Sequence, residues 1–380
     1  MTEPRVIEPR VIEPRVIERY LQIRSATVAG HLPSGELGYL ADVTGLLQLW
    51  RVAPDGIHEQ LTFGSERITA ALASPSEARW VVARDAGGNE RHALFALEAG
   101  GGCERPLTDD PESIHVPGAF SPDGTRVAFG YFDTNESLNH IALATLSGGV
   151  PRRFTFAHGN QYSPVWSPDG ARLAFSDDEA GVDTLSSKPF AGTSNERPLI
   201  PPPPSSTYAQ SWSPDGAHIL YRVQDAKNGF DIRALSLLDG KSELYVSGPA
   251  DQSQGQFSPD GRWVAYTSTE SGRHEVYVQP FPATGAKWQV SVSGGEQPRW
   301  RRDGKELFYL APDRSLMALP IAAMGAFDDA APQRLFATNI PFGDINVSQS
   351  YDVSADGERF VVAAADPLSP QTPISVIAGR

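Results

Sequence analysis

Short apolar runs, rich in β-branched and aromatic residues, alternate along this chain with polar stretches rich in Gly, Pro, Asp and Ser. The runs have strand length. Arg126–Phe132 (RVAFGYF), Arg172–Ser176 (RLAFS), His218–Val223 (HILYRV) and Arg262–Ser268 (RWVAYTS) each follow a Ser-Pro-Asp-Gly phrase. In that phrase proline presets φ, aspartate bonds the backbone ahead and glycine accepts φ > 0, so a tight turn between two strands is predicted. A polar loop follows each run, then a third strand, as in His140–Leu146, Asp231–Leu237 and Glu275–Phe281. A Gly-containing turn leads to a fourth, such as Arg152–Phe156.

The phrase recurs as FSPDG at Phe120–Gly124, WSPDG at Trp166–Gly170, WSPDG at Trp212–Gly216 and FSPDG at Phe257–Gly261, with glycines 46, 46 and 45 residues apart. Weaker copies end at Gly304 and Gly357, and Leu32–Gly35 and Ser74–Glu77 fall in phase upstream. Four antiparallel strands in each period of about 45 residues make one propeller blade. The prediction is an all-β chain: one β-propeller of eight four-stranded antiparallel blades, with seven as the alternative. Phe120, Trp166, Trp212, Phe257 and Trp300 are expected to wedge between blades as core rather than to form a ligand cage. Ala322–Gln333 lies in the one long step and reads as an insertion.

After the last anchor come three strand candidates and no fourth. Arg15–Arg24 is expected to complete that blade, close the ring and remove an exposed edge. Deleting residues 1–24 should then lower the melting temperature. Before it, EPRVI occurs three times in tandem from Glu3 to Ile17. Proline every fifth residue opposes both helix and central strand. Residues 1–18 are therefore assigned to a loose tail and 19–380 to the propeller. A duplicated segment or cloning artefact explains the triplet as well as a docking motif does.

Net charge is −14, from 32 basic and 46 acidic residues, with no Lys/Arg run. Nucleic acid and membranes are thereby disfavoured as partners. A single cysteine, Cys103, allows no intrachain disulfide and reads as a turn residue beside Gly100–Gly102. No signal peptide or membrane-length apolar run is visible, so a cytoplasmic monomer is expected, or a periplasmic one if a leader was removed.

The SPDG-anchored blade resembles the WD-repeat-like propellers of bacterial TolB-type proteins. Tyr39–Val52, Glu59–Ile68, Ala83–Leu97 and Arg105–His115 resemble, in that order, the N-terminal propeller of prolyl-oligopeptidase-family serine peptidases. Gly294–Ile321 and Tyr351–Val362 resemble propellers appended to bacterial sensor proteins and Ser/Thr kinases. The peptidase resemblance implies a gating role for the propeller, with the Ser-His-Asp triad in a separate hydrolase domain. No G-x-S-x-G elbow occurs in the chain, and the sequence ends after the last blade. No serine peptidase activity is expected of this polypeptide alone.

The loops entering innermost strands hold the candidate ligand residues His115, His158, Asn160, Gln161, Tyr208, Gln210, Gln254, Gln297, Arg299 and Gln349. Resemblance to the oligogalacturonate lyases, propellers that hold a metal with histidines and a glutamine, makes His115 and His158 metal candidates beside Gln161 and Gln210. The plainer reading, solvated loop residues, is preferred, and no cofactor is expected. Asp177, Asp178 and Glu179 read as a solvated acidic loop, since they lack the alternating ligands of a Ca²⁺ loop. Pro201–Pro204 reads as a stiff polyproline linker. The expected function is a non-catalytic scaffold binding a protein, peptide or small ligand at the channel mouth. The alternatives are the gating propeller of a peptidase and a metal-dependent pocket enzyme.

Overall fold

The computed structural model describes residues 26–380 except 54, 86, 111, 179–180, 192–194, 202–204, 226–228, 322–326, 328–330, 339, 344–349, 355, 363–376 and 379–380. The expected closing strand Arg15–Arg24, the EPRVI tail, Glu179, Gln349 and Pro202–Pro204 lie outside the described residues, as does most of the 322–333 insertion.

Every element among the described residues is a strand. Seven sheets have four strands in sequence order, at residues 26–60, 68–106, 114–153, 161–198, 207–246, 252–289 and 296–337. An eighth, at 351–378, has three described strands. We call these sheets blades 1 to 8. All pairings are antiparallel, as consecutive hairpins require. The first strand of each blade meets that of a neighbour in the pairs 1–2, 2–3, 3–4, 5–6, 6–7 and 8–1, so these strands line the axis and the ring closes.

The SPDG phrases make the predicted turns. In each, the glycine N–H donates to the serine carbonyl and the serine hydroxyl bonds the aspartate, at 2.5 Å in Ser167–Asp169 and Ser213–Asp215. The same carboxylate accepts the N–H two residues ahead. The serine hydroxyl donation is the largest influence holding the Asp123, Asp169 and Asp215 carboxyls below their ordinary range. Fourth strands are shorter than predicted: Arg152–Arg153 rather than Arg152–Phe156. Just past the short ladder a hydroxyl takes over, with Thr62, Thr108, Thr155 and Ser291 accepting the third-strand N–H of Leu49, Leu94, Ile141 and Val276.

The core lies between blades, not within them. Among the described residues, seven apolar clusters fill the seven seams from 1–2 to 7–8. The wedge aromatics sit in these seams as expected. Trp166 donates its indole N–H to Ala119 O of the preceding blade at 3.1 Å, and Trp300 to Gln256 O at 3.2 Å. Phe327, within the insertion, packs on Trp263 and Trp288.

Candidate functional site

Each of the seven four-stranded blades carries a register shift in its inner strand. A β-bulge leaves backbone groups unpaired and re-aims side chains. Ser163, Gln254 and Gln297, each four residues before its anchor position, take φ of 54°, 58° and 56° there. Non-glycine residues pay for that conformation unless the surroundings hold it.

Glutamines supply the hold. Gln210 Oε1 in blade 5 accepts the Gly255 N–H of blade 6 at 3.0 Å. Gln254 Oε1 in blade 6 accepts the Gln297 N–H of blade 7 at 2.7 Å. Gln297 Oε1 in turn accepts the Ser350 N–H at 2.7 Å. Each of these three glutamines thus satisfies a backbone donor of the next blade, and three blade junctions are strapped along the channel wall.

Three of the candidates from the sequence converge. Tyr208, Gln210 and Gln254 line one cleft of about 370 Å³ in the channel wall of blades 4 to 6, with Ser163, Arg222 and Ser253. The Tyr208 hydroxyl donates to Asp183 at 3.1 Å, and the Arg222 guanidinium lies 4.9 Å from the Tyr208 ring centre. Gln210 Nε2 reaches the Ser253 hydroxyl at 3.3 Å. Ser163 is exposed, and its hydroxyl has no partner among the described residues. The wall therefore offers amide and hydroxyl groups beside one aromatic face. Sequence reading missed Ser163, Arg222 and Ser253; the shared offset of Ser163 from its anchor was the available signal.

The other candidates stand elsewhere. His115 is 4% exposed, its ring lies against Phe129 and Tyr131, and its Nδ1 donates to His92 O at 2.8 Å. Burial lowers its pKa. His158 is exposed. Gln161 is buried between Gly159 O and His140, and Asn160 is tied to Asp178 and Asn139. Among the described residues no three His, Cys, Asp or Glu side chains gather as a metal group. Asp177 is buried beside the half-buried Asp178, so these two are not a freely solvated pair. Arg299 pairs with Asp352 in a different cavity.

No family model matches the chain. Dipeptidyl-peptidase 5 of Porphyromonas gingivalis is 34% identical over 67 residues, which is 17% of this chain and 10% of that protein. Among solved structures, prolyl oligopeptidase B from Galerina marginata aligns at TM-score 0.61 and 11% identity, over 92% of this chain and 57% of that one. An oligogalacturonate lyase in complex with manganese aligns at 0.57 and 14%, over 82% of this chain and 88% of that one. TolB from Acinetobacter baumannii aligns at 0.46 and 13%, over 79% and 77%. The chain spans a tenth of the curated relative and little more than half of the oligopeptidase. Fold and comparison together define a β-propeller resembling those of the prolyl oligopeptidases.

Proposed function

We propose that this propeller is a binding protein whose ligand, a peptide or protein segment, lies in the cleft of blades 4 to 6. The carrying observation is the convergence of Tyr208, Gln210 and Ser163 on one concave wall that mixes donors, acceptors and an aromatic face. An extended peptide presents alternating N–H and C=O groups and suits such a wall. The volume is within the range of small-ligand sites. Propellers host many functions, so the reading rests on the cleft and not on the fold. The test is binding of a fluorescent random-octapeptide library by the full chain and by Tyr208→Ala with Ser163→Ala. Peptides retained by the parent and released by the variant support the reading. Peptides retained equally by both overturn it.

A second reading is favoured by the match to dipeptidyl-peptidase 5: the chain would be the gating propeller of a peptidase whose catalytic domain lies on another segment or polypeptide. Addition of such a domain should then create an activity that the chain alone lacks.

A further inference from the structure

At the wedge position of blades 3 to 7 stand Phe120, Trp166, Trp212, Phe257 and Trp300; in blade 1 the residue in phase is His31. The equivalence extends to its bond. Trp166 and Trp300 donate to the residue just before the wedge position of the preceding blade. His31 Nδ1 likewise meets the residue before the wedge position of blade 8, Asp352, at 3.0 Å. The carboxylate accepts, so Nδ1 carries the proton, and in the neutral imidazole Nε2 keeps its lone pair. Nε2 is buried, has no hydrogen-bond partner among the described residues, and belongs to a side chain 8% exposed.

An imidazole is smaller than an indole, and space opens where the aromatic would be. His31, Arg299, Arg302, Asp352 and Arg359 line a cavity of about 590 Å³ at the SPDG-turn end of the channel. Asp352 is matched by Arg299 on one oxygen and by His31 on the other. Arg359 donates to Gly35 O across the 8–1 seam. Arg302 is exposed and has no partner among the described residues. The remaining lining carboxylate, Asp356, is engaged by Ser354 and by the Glu358 N–H. In a chain of net charge −14, this wall carries three guanidiniums and two carboxylates.

We propose that this cavity is a second binding site, separate from the cleft of blades 4 to 6, for a carboxylate that carries a hydrogen-bond donor beside it. Arg302 takes the carboxylate, since a free guanidinium fork matches two oxygens. His31 Nε2, an acceptor in the neutral imidazole whose Nδ1–H is bound to Asp352, takes a neighbouring N–H or O–H. A peptide carboxyl terminus supplies both groups within one residue, and a free hydroxy acid supplies both in one small molecule.

The test is calorimetric titration of the full chain with N-acetyl-tetra-alanine as the free acid, the same peptide as its C-terminal amide, glycolate and inorganic phosphate. The free acid should bind, glycolate more weakly, and the amide at least tenfold more weakly than the acid. Arg302→Gln should weaken the acid about tenfold. His31→Phe installs the wedge residue found in blades 3 and 6, so the chain should still fold, melt no lower, and lose binding. Tyr208→Ala should leave glycolate binding and the preference for acid over amide unchanged, which separates the site from the peptide cleft. Glycolate matching the peptide would make a small acid the source within the same chemistry. Equal binding of acid and amide, preference for phosphate, no binding of any probe, or indifference to Arg302→Gln would each overturn the assignment.

Discussion

Gln254→Met keeps the length of the side chain and removes its acceptor. Gln254 is 7% exposed, and its Oε1 accepts from Gln297 N–H and from the Thr267 hydroxyl, both at 2.7 Å. Methionine would leave the Gln297 N–H without its partner at a residue 1% exposed, inside a bulge where no ladder bond replaces it. The Thr267 hydroxyl can rotate toward another acceptor, so the backbone donor dominates the cost. An orphaned buried donor costs about 1–3 kcal/mol, so we expect a loss of about 2 kcal/mol. At roughly 2.1 cal/mol/K per residue, unfolding 380 residues carries about 0.8 kcal/mol/K, and 2 kcal/mol then lowers Tm by about 2–3 °C. The assay is scanning calorimetry of the parent, Gln254→Met and Gln333→Met. Gln333 is exposed on an outer strand and serves as the control, expected to shift by under about 0.5 °C because surface changes cost little. If Gln254→Met melts with the control, the glutamine strap carries no stability and the account of the bulges is wrong.

Four further outcomes are expected. Gly38→Ala should cost about 3 kcal/mol in urea unfolding, because its Cβ would lie 2.3 Å from the Trp80 ring and that ring is fully buried; a loss under about 0.5 kcal/mol would contradict the tight 1–2 seam. Lys188→Met removes the cation 3.1 Å from Glu196, whose side chain is 9% exposed, and should cost about 3 kcal/mol, partly recovered by adding Glu196→Gln. The turn aspartates Asp123, Asp169, Asp215 and Asp356 have folded pKa values below their unfolded ones, chiefly through the serine hydroxyls. Their contribution is full above the unfolded value of about 4 and is lost as pH falls through the folded values, so the urea midpoint should hold from pH 7 to 5 and drop below about pH 4; a midpoint that rises between pH 5 and 3 would contradict this sign. With no G-x-S-x-G elbow in the chain, dipeptidyl p-nitroanilides should release no product, and turnover blocked by a serine-reactive phosphonate would refute that expectation.

The architecture was legible because its signal repeats. One SPDG phrase states a turn; several in phase state a blade, and the wedge aromatics state where blades meet. What escaped the period was local. The bulges at Ser163, Gln210, Gln254 and Gln297 depend on two residues opposing one across a strand pair, which alternation of side chains does not announce. The glutamines were visible as a set at the inner strands. The oxygens of Gln210, Gln254 and Gln297 are bound to the backbone of the next blade, because the bulge that exposes them also orphans a donor within reach. The sequence pattern puts His115 in a loop, but its strand starts at Ile114, one residue before it, and the ring is buried on Phe129 and Tyr131. The cavity of His31 and Asp352 was written in the repeat as a departure from it: a histidine in the wedge column, joined to an aspartate 321 positions away along the chain.

The most direct test of the binding account is the octapeptide-library measurement on the full chain, with Tyr208→Ala and Ser163→Ala as the paired variant and its melting curve as a folding control. The account predicts that the parent retains a distinct set of peptides and that the folded variant releases them. A folded variant that retains the same peptides, or a parent that retains none, would contradict it.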